Sequence, residues 1–329
     1  MTSTSIRLVG DDLRPPDAPR RHLLSVADLT RDDVERLLGT ARTFAASLER
    51  HVKKLPTLKG HLVINLFYES STRTSSSFEL AAKRLSADTL NIKSTGSSVD
   101  KGESLKDTAL TLGAYDPDVI VIRHPQIGAP QLVAGVTNAH VVNAGDGKHQ
   151  HPTQALLDLY TLRAEFGRLD GLHVAIVGDV LHSRVARSLL QAFELVGIRC
   201  TVVGPPALLP RDLPADATTD ISAIRDADVV YVLRMQSERM EPGENYVPSL
   251  REYSARWGIT PDRHRAGQKV MHPGPMNRGV EIDPGVADCA DSLVITEVRA
   301  GLVVRMAVLY DLLAGGPVGV RALAAAEVA

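Results

Sequence analysis

Apolar residues in this chain fall into short unbroken runs set between longer stretches of helical spacing. Leu62–Phe67, Val119–Ile122, Val141–Ala144, Val174–Val177, Cys200–Val203 and Val229–Leu233 are too short for helices and rich in β-branched residues. Such runs predict strands buried on both faces. Helical periodicity predicts helices from about Ser76 to Leu85 and over Leu105–Ala114, Gln154–Phe166 and Arg184–Val196. Strand-helix alternation of this kind implies parallel sheets joined by crossover helices. Before the first strand, Thr30 reads as an N-cap with Asp33 three residues on, and Leu29 and Val34 as a hydrophobic staple. Leu37, Leu38, Ala41, Phe44, Ala45 and Leu48 continue the apolar face of that helix.

The pattern restarts after Gly167–Gly171, which predicts a second α/β unit. Gly301–Leu313 is a nearly all-apolar helix stopped by Gly315, Gly316 and Pro317. A helix apolar all round has to be buried, here by packing back across the molecule. The expected fold is therefore α/β, with two domains, each a mostly parallel sheet flanked by helices. The C-terminal helix packs on the N-terminal domain. The expected boundaries are 1–152, completed by helix 301–314, and 153–300. Within the first, 1–21 reads as a disordered leader because Pro15, Pro16 and Pro19 block regular structure.

Composition narrows the function classes. The 329 residues are 44% apolar and 23% charged, an ordinary globular balance long enough for two cores. A formal net charge of −2 and only 4% aromatic residues argue against nucleic-acid binding and against a polybasic membrane surface. The two cysteines, Cys200 and Cys289, have no zinc-ligand spacing and no disulfide framework, which suits a reducing compartment. No run approaches the roughly 18 apolar residues of a membrane span, and the first residues lack a secretory core. A cytoplasmic protein with no membrane partner is expected.

Candidate chemistry gathers where strands end. Ser71-Thr72-Arg73-Thr74 follows the first strand and precedes a helix, so unpaired backbone N–H groups, hydroxyls and a guanidinium meet at a helix N-terminus. That is an anion trap suited to phosphate. Arg123, Arg184 and Arg234 with Gln236 each follow a strand, His151 and Gln154 follow another, and Ser97 and Lys101 lie in a Ser/Gly-rich loop. So many cations crowded together call for an anionic partner. Each group taken singly has a plainer explanation. His151 suits a helix cap, Lys101-Gly102-Glu103 a solvated turn, and Arg184 an ion pair with Asp179.

Taken in order, these segments resemble the transcarbamoylase family. Tyr68-Glu69-Ser70-Ser71-Thr72-Arg73-Thr74 with Ser77-Phe78-Glu79 is similar to its carbamoyl-phosphate signature, and Arg123-His124-Pro125 and His151-Pro152-Thr153-Gln154 to its second and third binding segments. Val177-Gly178-Asp179 with Arg184, Arg234-Met235-Gln236 with Glu238-Arg239, and His272-Pro273-Gly274-Pro275 resemble the branch that uses aspartate. The resemblance runs from about Leu23 to Leu313.

It implies transfer of a carbamoyl group from carbamoyl phosphate to the α-amino group of L-aspartate, an early committed step of pyrimidine biosynthesis, with neither metal nor cofactor. Domain 1–152 becomes the carbamoyl-phosphate domain and 153–300 the aspartate domain. The resemblance gives Ser71, Thr72, Arg73 and Thr74 to the phosphate, with Ser97 and Lys101 beside them. Arg123 bridges phosphate and carbonyl, while His151 and Thr74 donate to the carbonyl oxygen. Gln154 and the carbonyls of Gly274 and Pro275 accept from the carbamoyl amino group. Arg184, Arg234 and Gln236, with Lys101, clamp aspartate. Ser97 and Lys101 reach a neighbouring subunit's site, making a homotrimer with shared sites, to which regulatory chains or a dihydroorotase attach in some members.

Ser75 stands where the family commonly has Arg, a position expected to brace the loop. An ornithine-using sibling is the closest alternative. Such an enzyme carries Cys in a His-Cys-Leu-Pro segment, whereas this chain has no Cys between Cys200 and Cys289 and has Gly274 at the Leu position. A non-catalytic phosphate-binding module would need the first cluster but neither His151 nor the aspartate clamp. Residues 238–246, rich in Gly, Pro and charge, are the expected closing loop.

Overall fold

Two all-parallel sheets organise the computed structural model, which describes residues 22–93, 102–236 and 249–314. The first holds β1 (Leu62–Phe67), β2 (Asp88–Lys93), β3 (Val119–His124) and β4 (His140–Asp146) in the order β2-β1-β3-β4. The second holds β5 (His173–Val177), β6 (Arg199–Val203), β7 (Asp216–Thr218), β8 (Val229–Val232) and β9 (Lys269–Met271) in the order β7-β6-β5-β8-β9. Each order reverses direction once, between β1 and β3 and between β5 and β8. Crossover helices leave opposite faces of the sheet at those points, opening a crevice beyond the strand ends.

The helices are α1 (Arg31–Leu48), α2 (Thr72–Arg84), α3 (Leu105–Gly113), α4 (Ala129–Val136), α5 (Pro152–Phe166), α6 (Arg184–Val196), α7 (Leu250–Trp257), α8 (Pro284–Ala287) and α9 (Val294–Leu313). The start of α1 is a capping box: Thr30 Oγ1 accepts from the Asp33 N–H at 3.1 Å, and Asp33 Oδ2 accepts from the Thr30 N–H at 2.9 Å. Leu29 and Val34 are both buried beside it. Helix α9 lies against α1, α2 and α5, so the last of the described helices closes the core over the first sheet. Phe44 of α1 meets Tyr310 of α9 edge to face, with ring centroids 5.7 Å apart. Arg36 pairs with Asp311 between the same helices, and Arg163 of α5 pairs with Glu35 of α1 at 2.5 Å.

Two element starts differ from the sequence reading. Helix α2 begins at Thr72, not near Ser76, because extended Ser71 (φ −157°) serves as its N-cap. Thr72, Arg73 and Thr74 therefore form the first helical turn. Helix α9 begins at Val294, well before Gly301; its opening turns carry Thr296, Glu297 and Arg299, which hid them from an apolar-run criterion. Residues 1–21, the loop 238–246 and the stop signal after α9 lie outside the described residues, and no described helix is long and apolar enough to cross a membrane.

Candidate active site

The loops beyond both reversal points face one cleft of about 840 Å³. Ladder pairs Phe67 with Arg123 and Val177 with Val232 set the strand ends side by side, so the loops that follow emerge together. From the first sheet come Ser71, Thr72, Arg73 and Thr74 after β1, Arg123 at the end of β3, and His151 and Gln154 after β4. From the second come Arg184 after β5, Arg234 and Gln236 after β8, and Gly274 and Pro275 after β9. Every described residue to which the resemblance gives a substrate contact lines this cleft. Ser97, Lys101, Glu238 and Arg239 lie outside the described residues.

The first turn of α2 presents its N–H groups and positive dipole end to the cleft. Ser71 makes no side-chain capping bond, which leaves its hydroxyl to the cleft. Ser75 points elsewhere: its hydroxyl donates to the Ser71 carbonyl at 2.8 Å and braces the turn. The Arg73 guanidinium passes so close to Gly274 that any side chain there would overlap it, and Gly274 has φ +63°. Gly145, with φ +120°, plays the same part for Arg184, since a Cβ would stand 2.9 Å from the guanidinium carbon.

Glu69 is the anionic counterweight and was not anticipated. It pairs with Arg184 and, at 3.1 Å, with Arg123, holding cations from the two sheets toward each other. Asp179, the partner considered for Arg184, instead accepts from His182 Nδ1 at 2.9 Å and from the Gln236 N–H at 3.2 Å. Arg123 Nη1 also donates to the Ala144 carbonyl at 3.3 Å. Arg234 Nη2 donates to Gln236 Oε1 at 3.4 Å.

His151 is the N-cap residue of α5 but forms no side-chain capping bond; its backbone N–H donates to Ser188 Oγ at 2.8 Å. The loop before it is tied down by Asp146. Burial pushes that carboxyl up, yet His149, Asn143 and the Gly128 N–H outweigh burial and leave it below its ordinary value. Beyond β9, burial pushes the His272 imidazole down, with nearby Arg73 and Arg234 adding to the effect against the pull of Glu281. Its Nδ1 accepts from the Gly274 N–H at 2.8 Å, so the ring proton sits on Nε2, which donates to Glu281 at 3.3 Å. That tautomer shapes the Gly274-Pro275 segment.

Helix α9 contributes Glu297 and Arg305 to the cleft, and Lys148 adds a cation from the loop after β4. Burial pushes Glu297 well above the usual carboxyl range and neighbouring Asp158 up to about 7. Burial also lowers Arg305, to about 10, against the attraction of Asp158. Among the described residues, no group of three or more His, Cys, Asp or Glu is arranged to hold a metal ion.

A phosphate-sized anion trap, a neutral donor and acceptor set, and guanidiniums for further carboxylates thus open on one another across two parallel sheets. Family models agree with that geometry. Residues 21–164 match the aspartate/ornithine carbamoyltransferase carbamoyl-P binding domain, and residues 170–312 match the family's Asp/Orn binding domain. The chain belongs to the aspartate/ornithine carbamoyltransferase family. It is 54% identical over 305 residues to the aspartate carbamoyltransferase catalytic subunit of Salinispora arenicola, covering 90% of this chain and 98% of that one. The corresponding subunit of Thermobifida fusca is also 54% identical, over 302 residues, with 90% and 96% covered. Aspartate transcarbamoylase from Trypanosoma cruzi, solved with N-(phosphonacetyl)-L-aspartic acid, superposes with a TM-score of 0.82 at 31% identity, covering 91% and 98%. The catalytic subunit of M. Jannaschii aspartate transcarbamoylase gives 0.79 at 35% identity, covering 90% and 98%.

Proposed function

We propose that this chain transfers the carbamoyl group of carbamoyl phosphate to the α-amino group of L-aspartate, releasing phosphate and N-carbamoyl-L-aspartate for pyrimidine biosynthesis. The observation that carries this reading is the meeting of Arg73, Arg123, Arg184 and Arg234 in one cleft. Carbamoyl phosphate and aspartate together bring about three negative charges, and these guanidiniums can neutralise them without any covalent intermediate. Catalysis is then positioning and stabilisation of developing charge.

The first turn of α2 holds the phosphate through Ser71, Thr72, Arg73 and Thr74. Arg123 spans phosphate and carbonyl, and His151 and Thr74 donate to the carbonyl oxygen as the amine adds to the carbon. Gln154 and the carbonyls of Gly274 and Pro275 accept from the carbamoyl amino group. Arg184, Arg234 and Gln236 take the carboxylates of aspartate, so Glu69 yields Arg184 when aspartate arrives. An ornithine side chain would instead bring an ammonium toward these guanidiniums. The test is product formation with aspartate, ornithine and putrescine as acceptors. Carbamoyl-aspartate alone is expected, and product only from ornithine or putrescine, or from none, overturns the reading.

We further assign Ser97 and Lys101 to the site of a neighbouring subunit in a homotrimer. Mixing inactive Lys101→Ala chains with inactive Arg73→Ala chains is expected to restore activity, because some shared sites then carry both residues intact. Mixed and reassembled chains that stay inactive rule out shared sites. The free thiols of Cys200 and Cys289, the former pushed up to about 12 by burial, accord with a reducing cytoplasm.

A further inference from the structure

We propose that Asp158 and Tyr231, backed by Glu297, act as positioning residues that lock the Gln154 amide with its oxygen facing the carbamoyl nitrogen. The proposal rests on the carbamoyl-transfer reading above. Gln154 Nε2 lies 3.0 Å from Asp158 Oδ1, and the Tyr231 hydroxyl donates to Asp158 Oδ2 at 2.8 Å. A carboxylate only accepts, so chemistry decides which end of the amide faces Asp158. Gln154 and Tyr231 thus share the same carboxylate on the buried side. With Nε2 held on the buried side by Asp158, Oε1 is left for the cleft that Gln154 lines.

The anchor itself needs a proton. Glu297 Oε2 accepts from the His272 N–H at 2.9 Å, while Oε1 is buried with no donor, and the Asp158 charge acts on the same carboxyl. Two neighbouring buried carboxyls are accommodated when one of them carries a proton that it can give to the other. Asp158 already accepts from Gln154 on one oxygen and from Tyr231 on the other, whereas Glu297 Oε1 accepts from neither, and burial pushes the Glu297 carboxyl up. Glu297 therefore carries the proton and donates, and Asp158 remains the ionised acceptor. The other charges facing the pair are Arg305, beside Asp158, and Arg73, whose pull on Glu297 is weaker than burial. The two oxygens of Asp158 then serve Gln154, Tyr231 and Glu297 at once. No neutral amide can accept from all three.

The test compares binding of carbamoyl phosphate and acetyl phosphate, which differ by an amino group against a methyl, using calorimetry on the full chain. Only the first can donate to Gln154. Asp158→Asn and Asp158→Ala are expected to weaken carbamoyl phosphate about tenfold, the worth of one misplaced hydrogen bond, and to leave acetyl phosphate unchanged. Glu297→Gln is expected to keep the wild-type preference, because its amide supplies the same donor to Asp158. Equal losses for both ligands, an undiminished preference in the Asp158 variants, or a collapsed preference in Glu297→Gln overturns the proposal. If both Asp158 variants are unfolded by circular dichroism, Tyr231→Phe carries the test. It should narrow the preference about threefold, and an unchanged preference there is equally fatal. Failure of the wild-type chain to carbamoylate aspartate is a separate result, and it overturns the underlying reading.

Discussion

Arg73→Ala is expected to lower turnover by a factor on the order of 10² or more, the usual cost of removing a preorganised donor at developing charge. Arg73 sits on the first turn of α2, where the helix dipole and free N–H groups already favour an anion. Its guanidinium occupies space that only a glycine at 274 leaves open. Alanine removes the full charge and leaves the turn, its Ser75 brace and the Asp146-anchored loop in place. The loss should therefore appear in the rate at saturating aspartate, with the melting temperature nearly unchanged. A rate near that of the wild type would place the phosphate elsewhere.

Arg184→Ala is expected to raise the KM for aspartate by a factor on the order of 10², since truncating one partner of a buried charge pair costs about 2–5 kcal/mol. Arg184 is only 2% exposed, and its position depends on the absence of a side chain at Gly145. Its removal leaves Glu69 paired with Arg123 alone, so carbamoyl phosphate binding should be retained. Initial rates across a range of aspartate concentrations, with calorimetry for carbamoyl phosphate, separate the two effects. An unchanged KM, or parallel loss of both substrates, would remove Arg184 from the aspartate clamp.

Much of this architecture was legible from physical signals that act locally. β1, β3, β4, β5, β6 and β8 announced themselves as apolar runs because both faces of a parallel sheet are covered. The capping box at Thr30 and the helix Arg184–Val196 were equally plain. What stayed hidden lacks such signals. β2 is an edge strand whose residues are mostly exposed, β7 reads Asp-Ala-Thr, and β9 has only three residues. Helix α4 opens on Gly128, Ala129 and Pro130, which read as a turn.

The site divides in the same way. Cations at strand ends were visible because charge at those positions is conspicuous. Glu69, Glu297 and Asp158 were not, because a carboxylate in a helix or loop usually faces solvent. Only tertiary packing turns these three inward. The available clue to Glu69 was its place just before the Ser71–Thr74 turn, an acid beside a cluster of cations, and Gly147-Lys148-His149 after β4 was the clue to Lys148.

Helix α9 has a consequence for how the molecule is made. It covers α1, α2 and α5, yet in the chain it follows every described strand of both sheets. The first sheet can pair its strands during translation, but the apolar faces of those helices stay open to water until residue 313 has emerged. Domains that fold late expose surface that invites misassociation. A chain that stops near residue 290 therefore carries the described strands of both sheets but lacks the helix that covers α1, α2 and α5 and brings Glu297 and Arg305 to the cleft.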